Sequence, residues 1–294
     1  MAQSLAHRFG QIIGEVLEAA VVLPLLEQFA REHGLYLDRK GPRPCRKGLK
    51  CKWTDLNGNS HDLDFVLERG GAAEKAGIPV AFIEAAWRRY TKHSRNKVQE
   101  IQGAVEPLSE TYHKIGPFKG AILAGVFTEG ALTQLRSLGY SILYFPYEAV
   151  VSAFKKLHVD CRSDEGTPES EFRGKIEAVQ RLTPKQRRSL ATALLKTQAT
   201  KIYQFIAAPS AVISRQIDRI VILALHGQSQ EVTTIADAIQ FIESYIEDGR
   251  ARPIERYEIH VRYNNGDVVS GNFRAKVDAV EFLKSYQPVD HPVV

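Results

Sequence analysis

The chain has 294 residues, 44% of them apolar and 25% charged, with a formal net charge of +5, which is the composition of a soluble globular protein that buries its own core. No run of about 18 apolar residues predicts a membrane span, and the N-terminus lacks a signal-peptide pattern, so we expect a cytoplasmic protein without a membrane partner. The three cysteines form neither an even disulfide framework nor a Cys-x-x-Cys metal pair, which argues against disulfide-stapled and zinc-binding classes.

A long amphipathic helix and a basic loop open the chain. Apolar residues recur with helical spacing over residues 3–33, and Pro24 predicts a bend or restart in that helix before Gly34 ends it. Residues 38–51 are basic and rich in Gly and Pro, which indicates a loop. Such a loop either lies against phosphates or faces solvent, and its charge alone favours neither interpretation.

Strands and helices alternate after this loop. Residues 52–55 and 61–67 flank the turn Asn57-Gly58 and predict a β-hairpin. The apolar run after Pro79 predicts a strand that is buried on both faces. Alternation of this kind predicts an α/β sheet with parallel strands, built from strand 80–87, helix 92–114, strand 121–127, helix 128–138, strand 140–145 and helix 148–157.

A polar stretch at residues 162–171 predicts a linker between two domains, residues 1–160 and residues 172–294. In the second domain, Thr183-Pro184 has the capping residue and the proline of a helix start, and helical patterns continue towards a final hairpin. We therefore predict a mostly helical C-terminal domain that carries a β-hairpin and serves target recognition or dimerisation. No internal repeat is evident. The hairpin strands and the last helix are predicted at residues 257–263, 268–273 and 276–286.

Three acids lie near the ends of two predicted strands. Residues two apart on a strand share a face, so Asp62 and Asp64 point the same way, and Glu84 ends the buried strand with its carboxylate at the rim. Clustered carboxylates repel each other unless a cation lies between them, and hard oxygen ligands select Mg²⁺. The alternative interpretation of either carboxylate alone is a solvated rim residue.

A basic segment follows Glu84 directly. Residues 88–97 contain five arginines and lysines and no acid. Charge runs are usually solvated helix faces, but one that begins where a candidate metal site ends is placed to hold the phosphates on which the metal acts. We assign the DNA contacts to Arg88, Arg89, Lys92, Ser94, Arg95, Lys97 and Gln99.

The order Asp64 and then Ile83-Glu84-Ala85-Ala86-Trp87 resembles the PD-(D/E)XK nuclease superfamily, in particular its type II restriction endonucleases. The helix that follows and the predicted strands at 119–123 and 140–145 are similar to the rest of that fold's core. The resemblance covers roughly residues 5–157. It implies a restriction-endonuclease-like mixed sheet flanked by helices.

By this resemblance Asp64 and Glu84 would be ligands of Mg²⁺, with the carbonyl of Ala85 as a third ligand and Asp62 as a further acid. Some relatives add an acid from the first helix, where this chain has Glu15 and Glu18, although a solvated helix face is the simpler interpretation of both residues. No Walker-type loop is present, so no nucleotide cofactor is expected.

Ala86 departs from the family pattern, which usually has lysine at this position to orient the attacking water and stabilise developing charge. Three interpretations compete. In the first, the role of the lysine has moved to Lys92, to Arg88 or to a second metal. In the second, Ala86 is an engineered inactivating change. In the third, the protein is a binding descendant without catalysis. We favour the first interpretation, because both acids and the basic helix remain.

The sequence therefore predicts a Mg²⁺-dependent endonuclease of restriction type that hydrolyses phosphodiester bonds at a specific site in double-stranded DNA. A symmetric site cut on both strands implies a homodimer, because protein two-fold symmetry mirrors that of the DNA. The alternatives are a catalytically inactive DNA-binding protein on the same fold and a repair or structure-specific nuclease.

Overall fold

The chain divides into two units in a computed structural model that describes residues 4–164, 166–225, 227–247, 255–264 and 266–286. The units are Met1–Pro209 and Ser210–Val294. The division does not fall at the predicted linker, residues 162–171. The reason is packing: the helix Glu169–Gln180 packs on the first helix of the chain, so the segment after the linker still belongs to the first unit.

The first helix is continuous but changes its pitch. Helix α1 (Leu5–Leu17) passes through a π-helical segment, Glu18–Val22, into helix α2 (Leu23–Glu32). The predicted irregularity near Pro24 is this wider turn, since proline cannot donate a backbone hydrogen bond to the preceding turn. By length and hydropathy alone the whole helix, Leu5–Glu32, is apolar enough to cross a membrane. The core helix of a soluble protein passes the same test, and α1 packs against the sheet.

The first unit is built on a five-stranded mixed sheet, as predicted, with helices on its faces. Its strands lie in the order β1-β4-β5-β6-β7; β1, β4 and β5 are antiparallel, whereas β5, β6 and β7 are parallel. The central strand β5 is almost entirely apolar because α1 and α3 cover its two faces. The strands are β1 (Leu35–Arg39), β4 (Phe65–Arg69), β5 (Ile78–Arg88), β6 (Phe118–Gly125) and β7 (Ser141–Pro146).

Helices make the crossovers between the parallel strands and pack around the sheet. Helix α3 follows β5 and leads into β6, and α4 leads from β6 into β7. The side-chain hydroxyl of Thr128 caps α4 by accepting from the amide of Ala131. The remaining helices are α3 (Lys92–Thr111), α4 (Glu129–Ser137), α5 (Tyr147–Lys155), α6 (Glu169–Gln180), α7 (Pro184–Thr197) and α8 (Ala199–Ile213).

The predicted hairpin is shorter than expected. Strands β2 (Cys51–Thr54) and β3 (Ser60–Leu63) form a separate two-stranded sheet. A bend at Asp64 then breaks the predicted strand 61–67, and the chain continues as β4 in the main sheet. The prediction that Asp62 and Asp64 share one strand face was therefore wrong.

The second unit is not mostly helical. Its described part is an antiparallel sheet in the order β11-β10-β8-β9, with helices α9 and α10 packed on it. The predicted helix over residues 217–232 was wrong, because buried side chains there recur every second residue, as in a strand. The elements are β8 (Ile217–Ala224), β9 (Ser229–Val232), α9 (Ile235–Ser244), β10 (Tyr257–Tyr263), β11 (Val268–Phe273) and α10 (Lys276–Lys284). Asn265, in the hairpin turn, lies outside the described residues.

This unit also contains the internal repeat that was not evident beforehand. Each half is strand, strand, helix, and the two first strands, β8 and β10, pair antiparallel at the centre of the sheet. The helices carry the matching segments Asp237-Ala238-Ile239-Gln240-Phe241 and Asp278-Ala279-Val280-Glu281-Phe282. The strand segments diverge and their turns differ, so the repeat is visible in the sequence only along the helices.

Candidate active site

Asp64 and Glu84 meet at the point where β4 enters the sheet beside β5. The last paired residues are Phe65 and Ile83, so the next position on each strand carries an acid. The amide of Asp64 donates to Oε1 of Glu84 at 3.1 Å, and the amide of Ala85 donates to Oδ2 of Asp64 at 2.9 Å. Each carboxylate is thus oriented by the backbone of the strand that carries the other.

Glu84 is buried, Asp64 is half-buried, and the site carries excess negative charge. Glu84 is only 4% exposed. Burial raises the pKa of its carboxyl group to about 8, and the neighbouring carboxylate of Asp64 adds to the rise, whereas Lys97 opposes it. Lys97 and Arg88 are shared with a third carboxylate, Glu100, so the described charges at the site sum to a negative excess that favours the arrival of a further cation or a proton.

Lys97 approaches the acids from α3. Its Nζ lies 3.5 Å from Oε2 of Glu84 and 3.7 Å from Oε2 of Glu100, and only 16% of its side chain is exposed. The sequence predicted that Lys97 would contact phosphate and did not place it at the acids. A residue thirteen positions after Glu84 reaches it only because the chain turns back from β5 into α3.

The two residues expected to replace the missing lysine have other positions. Arg88 donates to the carbonyl of Trp87 and lies 3.8 Å from Glu100, and burial lowers the pKa of its guanidinium group. Lys92 begins α3, but its side chain lies outside the described part of the structure. Ala86 is half-buried and packs against the apolar core beneath α3.

A cleft of about 620 Å³ opens above the acids. Strand β5 and the first turns of α3 form one wall, and α1 forms the other. The lining combines Asp64 with the cations Arg88 and Lys97 and with the amide side chains of Asn96, from α3, and Gln11, from α1. A polar lining of this kind suits a phosphorylated ligand better than an apolar one. The polar side chains that line it include Gln11, Asp64, Arg88, Asn96, Lys97 and Glu100.

Two predicted site residues, Asp62 and Ser94, do not line this cleft. Asp62 lies on the separate hairpin, where it is exposed and pairs with Lys50. Ser94 is fully buried, and its hydroxyl donates to the carbonyl of Thr91. The structure therefore does not bring Asp62 or the hydroxyl of Ser94 to the acid pair, and their assignments as a metal ligand and a DNA contact stay predictions.

Arg89 lines the cleft, but its charged group holds the fold together. Its guanidinium donates to the hydroxyl of Ser163 and to the carbonyl of Ala6, and it lies over the rings of Phe9 and Phe172. Burial lowers the pKa of Arg89. These contacts join the end of β5 to α1 and α6, which gives the guanidinium a structural role, and its DNA contact stays a prediction.

The polar residues in the first turns of α3 lie on two faces of the helix. Asn96, Lys97 and Glu100 line the cleft. Arg95 and Gln99, four residues apart, form the next stripe of the helix and face solvent. They remain predicted DNA contacts at the margin of the site.

Glu18 is one of the two acids that sequence reasoning set aside. It begins the π-helical segment, and the pKa of its carboxyl group is raised by partial burial and next by the charge of Asp64. The side chain of Glu18 is exposed, as the interpretation as a solvated helix face predicts. π-helical turns often occur at functional positions. The position of Pro24 was the only signal in the sequence that the helix would contain such a turn.

The donor set fits Mg²⁺. Two carboxylates and the carbonyl of Ala85 are hard oxygen ligands, and Mg²⁺ typically takes one or two carboxylates and retains several waters. Within the described residues, no three side chains of His, Cys, Asp and Glu lie close enough to form a metal cluster of their own. Ligands beyond Asp64 and Glu84 would thus come from the backbone, water or the substrate.

Comparison with known proteins adds little to this geometry. No protein-family model and no curated protein matches the chain. A partial likeness exists to the crystal structure of a protein of unknown function, AF1548, with 15% sequence identity and a TM-score of 0.27. It covers 69% of this chain and 98% of that chain. A TM-score of this size carries no argument about function.

Proposed function

We propose that the first unit is a Mg²⁺-dependent DNA endonuclease of restriction type, with the PD-(D/E)XK arrangement, that hydrolyses phosphodiester bonds in double-stranded DNA. The observation that carries this proposal is the acid pair Asp64 and Glu84, with Lys97 beside Glu84 and a polar cleft above. The second unit would serve target recognition or dimerisation, and a palindromic target would require a homodimer.

The acids would hold the metal in this proposal. Bound Mg²⁺ supplies a lowered pKa for a bound water and neutralises charge on a phosphodiester. The chain's own part is orientation: the amides of Asp64 and Ala85 fix one oxygen of each carboxylate. The other oxygen of Glu84 lies 3.5 Å from Nζ of Lys97, and Asp64 lines the cleft. Burial excludes bulk water, which strengthens every charge interaction in the site.

Lys97 would take the role that lysine has at position 86 in the family. An ammonium beside the metal ligand is placed to orient the attacking water and to stabilise the charge that develops on the phosphate. This supports the interpretation that the function has moved, but to a residue that the sequence had not named for it. Glu100, 3.7 Å away, helps to hold the Lys97 side chain in place.

Cleavage of long, unmethylated DNA with Mg²⁺, with Mn²⁺ and with chelator tests the proposal. We expect discrete fragments with either metal and none with chelator. Glu84→Gln should abolish them, whereas Glu110→Gln, an exposed carboxylate at the far end of α3, should leave them unchanged. Failure of the wild-type protein to cut any DNA with either metal would sink the proposal.

The second candidate is a DNA-binding protein without catalysis, and Ala86 is the observation that favours it. In that case no variant cuts, and Glu84→Gln binds DNA as well as the wild type or better, because a negative charge has been removed. A repair or structure-specific nuclease would instead cut branched DNA in preference to linear duplex.

A further inference from the structure

The basic loop, residues 40–50, contains two arginines that point inward and hold it in one shape. Arg43 is buried, with 3% of its side chain exposed. It makes two bonds to the fully buried carboxylate of Glu68, at 2.5 and 2.9 Å, and lies 3.0 Å from Asp38. It also donates to the carbonyls of Ala72 and Lys75. A loop with this many internal bonds is ordered before any ligand arrives.

A second set of bonds closes the base of the loop. Arg46 pairs with Asp38 and donates to the carbonyl of Gly41 at 3.1 Å. The amide of Gly41 in turn donates to the carbonyl of Leu49 at 2.7 Å. Gly41 has a φ of +145°, which a residue with a side chain rarely adopts, so the closure depends on glycine there.

The remaining cations point outward. Lys40, Lys47 and Lys52 are exposed, whereas Lys50 pairs with Asp62. The two inward arginines neutralise Asp38 and Glu68. The charges of the outward lysines therefore add up to a net positive charge on an ordered backbone. Rigid cations suit an anion of fixed spacing, since less ordering entropy is lost on binding.

The register of the sheet places this loop beside the acids. Arg39, the last residue of β1, pairs with Phe65 of β4, which pairs with Ile83 of β5. Lys40 and Asp64 lie in bends one residue beyond this last paired row, where Glu84 continues β5. Neighbouring strands of a sheet are about 4.8 Å apart. The basic loop thus begins one residue beyond the same paired row as the candidate metal ligands.

Electrostatics agree with this placement. Partial burial and Asp64 raise the pKa of Glu18, and Lys40 and Arg39 act in the opposite direction on the same carboxyl group. Glu18 therefore lies within reach of both the acid pair and the first cations of the loop. Lys97 and Arg88 approach the acids from the β5 side, and the loop approaches them from the β1 side.

We propose that the basic loop, through Lys40 and Lys47, and the adjoining strand β2, through Lys52, bind phosphates of the DNA backbone on the β1 side of the acid pair. The choice of DNA as the polyanion rests on the proposed function. With α3 on the other side, the duplex backbone would be held at two places, and the phosphate between them would lie over Asp64 and Glu84.

The test is binding of the full chain to a fluorescent DNA duplex, with chelator to prevent cleavage, across about 50 to 200 mM salt. Lys40→Gln, Lys47→Gln and Lys52→Gln are combined in one variant. Each lost phosphate contact lowers the salt slope by about 0.9, so we expect the slope to fall by about 2.7 and Kd to rise at least about tenfold.

The matched control combines Lys114→Gln, Lys155→Gln and Lys156→Gln, which removes the same charge from exposed positions. Lys114 follows the far end of α3, and Lys155 ends α5, which runs back from the carboxyl end of β7. We expect its Kd and salt slope to match those of the wild type. Equal melting temperatures establish that both variants are folded.

Three outcomes would overturn the inference: the loop variant keeps the wild-type Kd and slope, the two variants weaken together, or the wild type does not bind the duplex. Vesicles with and without anionic lipid provide another arm. Loss of vesicle binding by the loop variant, with DNA binding intact, would assign the loop to a membrane surface. Loop-dependent DNA binding without metal-dependent cleavage would leave the inference standing and reject the nuclease.

Discussion

Two buried charge clusters on the same strands differ in their balance. In the first, Arg43 and Arg46 face the carboxylates of Asp38 and Glu68, so two positive charges meet two negative ones. Burial lowers the pKa of Arg43, but the bond to Glu68 and the charges of Glu68 and Asp38 outweigh it, and the net shift is upward. This cluster is complete without a ligand.

The second cluster is incomplete. Among the described side chains, two cations, Lys97 and Arg88, lie near Asp64 and Glu84, and both also pair with Glu100. Two positive charges thus meet three negative ones, and the pKa of Glu84 rises to about 8. A protein tolerates an unbalanced buried charge when a ligand balances it, and otherwise the group takes up a proton. The comparison teaches that charge balance, and not burial, separates a structural cluster from a functional one.

Glu84→Gln and Glu68→Gln should have opposite effects, and this is the largest contrast we expect. Glu84→Gln abolishes cleavage and leaves the free energy of unfolding at neutral pH unchanged or higher, because it removes an unbalanced charge. Glu68→Gln destabilises the fold by about 3 to 5 kcal/mol, because it leaves Arg43 without its partner. Urea unfolding and cleavage assays on both variants measure the contrast, and equal destabilisation would refute it.

Lys97→Met should lower the cleavage rate about 10²- to 10³-fold, the usual effect of losing one group that stabilises developing charge. Melting temperature should change little, because methionine keeps the apolar part of the side chain. Ala86→Lys in the same protein should restore part of the rate, since position 86 lies on the same strand face as Glu84. A rate that Lys97→Met does not affect would exclude Lys97 from the chemistry.

The stability of the metal-free protein should fall as pH rises from about 5 to about 8. The folded pKa of Glu84, about 8, exceeds its ordinary value of 4.5, so the folded state binds the additional proton in this window and loses the advantage above it. The effect is on the order of a few kcal/mol. Unfolding curves at several pH values measure it, and both Glu84→Gln and added Mg²⁺ should flatten the dependence.

Asp62→Asn should have the smallest effect. Its partner Lys50 is exposed, so the ion pair contributes less than about 1 kcal/mol. We expect cleavage within about twofold of the wild type, a change no larger than that of a typical surface substitution. A complete loss of cleavage in this variant would return Asp62 to the metal site, contrary to its position on the separate hairpin.

The sequence by itself determined the alternation of strands and helices in the first unit and singled out the two acids Asp64 and Glu84. Period-two patterns and the apolar run of β5 reflect burial on two faces, which acts locally and is therefore visible in a short window. The same local reasoning mistook β8 and β9 for helix, because half-buried residues alternate with buried ones in most of β8 and β9 has no buried residue to mark an alternation.

Only the tertiary structure decided which charges meet. The bend at Asp64 separated it from Asp62, the return of α3 brought Lys97 to Glu84, and the register of β1 put Lys40, like the two acids, one residue beyond the last paired row of β1, β4 and β5. Each depends on contacts between residues far apart in the chain. Electrostatic energy depends on distance and burial, and neither is set by residue type or spacing along a strand.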